Sequence, residues 1–138
     1  MFSFFDSSAF AKRFIEESGS DEIDKICRES ASVALSSICF PEIISALNRR
    51  LREHGITKKE YILIKDKFLE ELENIEIINV VPEVIAKSVQ LLEKYNLRTL
   101  DSIHISSALI LKPDIFISAD KRQVLAAQKA GLKVKFIE

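Results

Sequence analysis

The sequence predicts an α/β domain: a central, mostly parallel sheet of about five strands, flanked by helices on both faces. Short apolar runs of strand length recur at 2–5, 32–38, 76–81, 114–119 and 134–137. Between them lie longer stretches with apolar residues three or four apart, the helical spacing. Capping and breaker residues stand at the junctions. No repeat, low-complexity tract or linker interrupts the 138 residues, so one domain spanning 1–138 is the economical expectation.

Taken in order, "FSFF" (2–5) reads as a short buried strand and residues 8–17 as a helix ending near Gly19. Ser20, with Asp21 and Glu22 behind it, is the expected N-cap of a helix through about Arg28. "SVALSSI" (32–38) is the next strand. Pro41 is expected at the first position of a helix that ends before Gly55, its C′ residue. Thr57 and Glu60 form a capping box for a helix with apolar residues at 61, 64, 68, 72 and 75. "EIINVV" (76–81) is a strand, and Pro82 opens a helix to about Tyr95. "SIHISSALIL" (102–111) is apolar or small all round and predicts a buried helix. "DIFISA" (114–119) is a strand, 121–130 a helix closed by Gly131, and "VKFI" (134–137) the last strand.

Composition narrows the function. Lysine plus arginine number 20 against 21 aspartate plus glutamate, which excludes a strongly basic nucleic-acid coat. A polyanionic partner must be held by a local patch or through metal ions. Cys27 and Cys39 make no CxxC pair, so they read as structural thiols in a reducing compartment, and the expected location is the cytoplasm. No basic leader precedes an apolar core and no apolar run approaches membrane length, about 20 residues. The three glycines are scattered, which excludes a phosphate-binding loop. Zinc is not expected without a Cys/His cluster. His104 reads as a satisfied core histidine, and His54 as a cation near a helix C-terminus.

Four carboxylates adjoin apolar runs and predicted helix starts. Asp6 follows "FSFF", Glu42 follows "SSICFP", Asp101 precedes "SIHISSALIL", and Asp120 follows "DIFISA". In open parallel sheets the carboxyl ends of strands line the ligand crevice. Each acid has a plainer alternative. Asp6 or Ser7 caps helix 8–17, Asp120 forms a capping box with Gln123, Glu42 sits where the helix dipole favours an acid, and Asp101 shares capping with Thr99. Their joint placement is harder to explain as four separate caps. Glu42 also shares a helix face with Ser45, Ala46 and Arg49; the small Ser45 and Ala46 leave room for a ligand, while the plainer alternative is the wetter side of an amphipathic helix opposite Ile44, Leu47 and Leu51.

"FFDSSAF", "SSICFPEIISAL", "LRTLDSIHISSALI" and "IFISADKRQVLAA" together resemble the PIN-domain family, and within it the VapC-like ribonuclease toxins of toxin–antitoxin pairs. The resemblance spans essentially the whole chain, in order and at the right separations. It implies that Asp6, Glu42, Asp101 and Asp120 are the family's acidic quartet, binding metal and carrying catalysis. Ser8 and Ser118 match the hydroxyl residues that orient those acids or their waters. It further implies a parallel sheet sandwiched by helices, Mg²⁺ or Mn²⁺ as cofactor, RNA as substrate with 5′-phosphate and 3′-hydroxyl products, a small antitoxin partner, and a homodimer.

Elementary electrostatics agrees with a cation. Two carboxylates about 5 Å apart, at an effective dielectric of about 20, repel by roughly 3 kcal/mol. An empty site should therefore hold at least one raised carboxyl pKa. Hard oxygen donors suit Mg²⁺ or Mn²⁺. Such an ion activates water for in-line attack on phosphorus. Substrate contacts are expected from Arg49 and Arg98 before Lys12, Arg13, Lys121 and Arg122; no base-stacking aromatic is evident. Two other classes stay open: a non-catalytic binding module of the same shape, and a phosphatase-type hydrolase, although "DSSAF" lacks the second aspartate of a DxD motif.

Overall fold

The computed structural model describes all residues, Met1–Glu138. Five strands form one sheet: β1 (Phe2–Phe5), β2 (Ser32–Ser36), β3 (Glu76–Ile78), β4 (Ile115–Ser118) and β5 (Val134–Phe136), in the order β3-β2-β1-β4-β5. Every pairing is parallel. Seven helices connect them: α1 (Ser7–Phe10), α2 (Ser20–Glu29), α3 (Cys39–Arg52), α4 (Lys58–Leu72), α5 (Pro82–Lys94), α6 (Thr99–Leu111) and α7 (Lys121–Lys129).

Side chains alternate across a strand, and the core follows that period. Phe4, Ala34 and Phe116 face one layer, packed by Leu91 of α5, Ile105 and Ala108 of α6, and Ala126 and Ala127 of α7. Phe5, Leu35 and Ile117 face the other, packed by residues of α1 to α4 around Phe10, Phe14 and Phe68. Helices therefore cover both faces, as a parallel sheet requires. The chain winds outward from β1 through β2 to β3, then returns to place β4 on the other side of β1. That reversal opens a crevice at the carboxyl ends of β1 and β4.

Several local expectations need correction. The helix expected over 8–17 is a single turn, α1, continued by a 3-10 turn at Ala11–Arg13. The chain then leaves the helix so that Phe14 and Ile15 are both buried. Ser20 does not cap α2. Its hydroxyl donates to the Ile15 carbonyl (3.2 Å) and accepts from the Glu17 amide (2.9 Å), closing the preceding loop. Gly19, at φ 90°, takes the cap position instead. A Cβ there would lie 2.6 Å from Ile137 Cγ2, so both the conformation and the space call for glycine.

Helix α3 starts two residues before Pro41. Proline is tolerated there because the first amides of a helix have no intrahelical acceptor. Its C-terminus is a Schellman turn in which His54 (φ 61°), not Gly55, is the left-handed residue. The Gly55 amide donates to the Arg50 carbonyl (2.8 Å) and the His54 amide to the Leu51 carbonyl (3.2 Å). The Thr57–Glu60 capping box is present as read. Helix α6 is buried from Ser102 through Ala108, its Ser106 and Ser107 hydroxyls satisfied by carbonyls one turn back. No helix is long and apolar enough to cross a membrane.

Candidate active site

Strand register builds the crevice. Phe4 pairs with Phe116 and Phe5 with Ile117, and the Asp6 amide donates to the Ile117 carbonyl (3.0 Å), which sets Asp6 beside Ser118. Ser118 Oγ donates to Asp6 Oδ2 (2.6 Å). The same hydroxyl accepts from the Asp120 amide (3.0 Å), so one side chain locks both acid-bearing loops together. Ser8 Oγ lies 2.8 Å from each Asp6 oxygen and accepts from the Ala119 amide (3.0 Å). The two serines thus tie the carboxyl ends of β1 and β4 together at the floor of the crevice.

Asp6 is 2% exposed and also caps α1, accepting from the Ala9 amide (2.9 Å). Burial pushes its carboxyl above the usual range; the charge of His104 and the donors Ser118, Ala9 and Ser8 oppose this. A raised carboxyl was expected, but its largest cause is burial rather than a neighbouring acid. Asp120 caps α7, accepting from the Arg122 amide (2.9 Å). The expected capping box with Gln123 is absent, because Gln123 Nε2 instead donates to the Asp101 carbonyl (3.2 Å), tying α7 to α6.

Glu42 and Asp101 cap nothing. Arg98, not Thr99 or Asp101, holds the N-cap position of α6. Glu42 Oε1 accepts from Ser7 Oγ (2.6 Å) and is 2.6 Å from His104 Nε2. Burial pushes the Glu42 carboxyl up, but the hydrogen bond and charge of His104, with Ser7 and Arg98, outweigh it and leave the group below its ordinary value. His104 is itself buried and Ser7 Oγ is 3.2 Å from the same Nε2, while Nδ1 has no partner. His104 is thus in the core as expected, but it is not fully satisfied, and its contact with Glu42 lies outside that expectation. The available signal was its place three residues after Asp101, on the same face of a helix.

Arg98 joins the other acids. Its Nε lies 3.2 Å from Asp101 Oδ2 and its Nη2 3.6 Å from Asp120 Oδ2, and its charge also acts on Glu42. No group of three His, Cys, Asp or Glu side chains stands ready to hold a metal ion. The four acids are linked through Ser118, Ser7, His104 and Arg98 rather than meeting at one point. Asp101 and Asp120 nevertheless converge on a single cation, and their donors are hard oxygens. A pair of this kind fits Mg²⁺, which takes one or two carboxylates and keeps waters for its remaining positions.

Beside Glu42 lies a groove of about 400 Å³ lined by Ile38, Pro41, Ser45, Ala46, Arg49 and Leu100. Arg49 makes no ion pair, in contrast to Lys12 (with Glu17) and Arg13 (with Glu71 and Asp24), whose charges are taken up elsewhere.

An open parallel sheet with acids and hydroxyls at its switch point defines a class of α/β proteins built to act on a ligand at that edge. The chain belongs to the PIN-domain family, whose domain matches residues 3–129. Two relatives from Mycobacterium tuberculosis, Ribonuclease VapC45 and Ribonuclease VapC49, are each 28% identical over 134 residues, covering 95% of this chain and 92% of their own. Among solved structures, FitAcB from Neisseria gonorrhoeae superposes with a TM-score of 0.75 at 13% identity, covering 96% of this chain and 95% of that one. Mycobacterium tuberculosis VapC20, a sarcin-ricin loop cleaving toxin, superposes at 0.70 with 13% identity, covering 94% and 95%. A toxin–antitoxin complex from Klebsiella pneumoniae gives 0.67 at 17% identity and 88% of each chain.

Proposed function

We propose that this chain is a divalent-metal-dependent endoribonuclease, the toxin of a toxin–antitoxin pair. The observation that carries this reading is the shared guanidinium of Arg98: acids from α6 and from the loop before α7 converge on one cation. PIN-domain membership and the ribonuclease names of the relatives support RNA as substrate.

Asp101 and Asp120 would hold Mg²⁺ or Mn²⁺, with Glu42 and Asp6 contributing directly or through water. An ion held there would supply Lewis-acid charge for the phosphoryl oxygens and a more acidic bound water. The chain's own residues prepare the place. Ser118 and Ser8 fix Asp6, and Ser118 fixes the backbone of Asp120. Ser7 and His104 hold Glu42 by Oε1, which leaves Oε2 to accept from a ligand. Arg98 and, along the neighbouring groove, Arg49 would take substrate phosphate. Such arginine–phosphate contacts weaken as salt rises.

The partners follow from the same reading: a small antitoxin that covers the acidic edge, and a second copy of the chain. Exposed apolar residues on α5 (Ile85, Val89) and α4 (Ile62, Leu63) support surfaces that a protein partner covers. The test is end-mapping of RNA after incubation with Mg²⁺ or Mn²⁺. New 5′-phosphate ends should form, and vanish in EDTA and in Asp101→Ala. Undiminished cleavage in either control overturns the proposal.

A further inference from the structure

We propose that the seam between α5 and α7 is a track for single-stranded RNA that feeds the acidic crevice; the inference rests on the ribonuclease reading and names its substrate path. Two adjoining clefts, of about 190 and 240 Å³, run along this seam and share Tyr95 and Lys129. Four cations line them, Lys87, Lys94, Arg122 and Lys129, and no acidic side chain does. In a chain with 20 basic and 21 acidic residues, that is a local excess of one sign. None of the four is paired with a carboxylate. The cleft of about 370 Å³ near Cys27 is the contrast: its one cation, Arg13, is already neutralised by Glu71 and Asp24.

The track has a direction. At its inner end the Arg122 amide is bound to Asp120 Oδ1 (2.9 Å), and two residues beyond Asn96 the Arg98 guanidinium meets Asp101 and Asp120. A polyanion lying on the four cations is thereby led to the carboxylates proposed to hold metal. Tyr95, half-buried within both clefts, has Lys94 Nζ 5.7 Å from its ring centroid, which holds that cation along the seam. Phosphates spaced along a flexible strand suit cations spaced along a seam. An acidic protein segment would gain the same attraction but has no bond for the crevice to cut, so the geometry favours RNA.

The experiment is fluorescence anisotropy of a labelled single-stranded RNA with the full chain, in EDTA so that no turnover intervenes, across a salt series. The double variant Lys87→Ala/Lys129→Ala should bind on the order of tenfold more weakly and lower the slope of log K against log salt by about 1.4, near 0.7 per lost phosphate contact. The control Lys58→Ala/Lys59→Ala removes equal charge from exposed positions on α4, across the sheet, and should leave affinity and slope as in wild type. Wild-type affinity and slope in the Lys87/Lys129 variant would overturn the track, as would an equal loss in the control. So would competition by polyglutamate as effective as that by unlabelled RNA. If the lysines carry binding but the wild type cleaves nothing in Mg²⁺, the track stands and the hydrolytic reading fails.

Discussion

Replacing His104 by leucine separates the site's wiring from its packing. The imidazole is 2% exposed, sits 2.6 Å from Glu42 Oε1, and leaves Nδ1 without a partner. Losing a hydrogen bond to a charged group costs about 1.5–3 kcal/mol. Removing a buried, unsatisfied nitrogen returns about 1–3 kcal/mol. Leucine is close in size, so the two effects nearly cancel and His104→Leu should lie within about 2 kcal/mol of wild type. His104→Ala adds the cavity term of a large-to-small core change, about 2–5 kcal/mol. For 138 residues, 1 kcal/mol corresponds to roughly 3 °C in Tm, so the leucine variant should melt clearly above the alanine variant. In both, the Glu42 carboxyl should titrate higher, since burial is then opposed only by Ser7 and Arg98. Glu42, held low in the fold, adds stability above its unfolded pKa that fades as pH falls; both variants should lose this contribution. Thermal melts with carbon NMR of the Glu42 side chain read both effects. An unmoved Glu42 titration, or a leucine variant as unstable as the alanine one, would refute the reasoning.

Three further outcomes are expected. Asp6 is held above its ordinary pKa, so its contribution to stability is complete below the unfolded pKa and is lost as pH rises through the folded one. Asp6→Asn should therefore gain on wild type as pH rises through that window, by at most about 1.4 kcal/mol per pH unit, in denaturant melts across a pH series; a gap that narrows contradicts this. Arg98→Ala should bind Mn²⁺ more tightly than wild type in calorimetry, because the ion no longer competes with the guanidinium for Asp101 and Asp120; unchanged affinity would show that Arg98 is not their counter-ion. Phe68→Ala should cost about 3–5 kcal/mol, hence roughly 10 °C or more, because the fully buried ring packs against Phe10, Phe14 and Phe40; a loss under 1 kcal/mol would place this cluster outside the core that sets stability.

The inner strands β1, β2 and β4 were readable because burial leaves short apolar runs, and Asp6 and Asp120 because they follow two of those runs; the edge strands β3 and β5 are more exposed, and Asp101 opens a buried helix instead. Helix ends were less readable. Ser20 has the chemistry of a cap, but its hydroxyl is engaged by the loop before it, a contact that sequence spacing does not encode. Gln123 stands three residues after Asp120, as a capping box asks, yet reaches a carbonyl of α6 that only the tertiary fold supplies. The site shows the same division. Asp6 and Asp120 are caps as well as candidate ligands, so local pattern alone could not assign them. Glu42 and Asp101 bind no backbone amide, and that distinction appears only when Ser7, His104 and Arg98 arrive from elsewhere in the chain. The lysines of the α5–α7 seam lie 42 residues apart at their extremes, Lys87 and Lys129, and are brought together only by packing on the sheet.

Asp101 makes the most direct test of the metal proposal, because its carboxylate accepts no backbone amide at the helix start and can be neutralised without removing a cap. Titration calorimetry of Mn²⁺ into wild type should give saturable binding, weakened at least tenfold in Asp101→Asn while both proteins melt alike. Equal binding by the two proteins, or no heat from wild type at millimolar Mn²⁺, would contradict a metal site at this edge of the sheet.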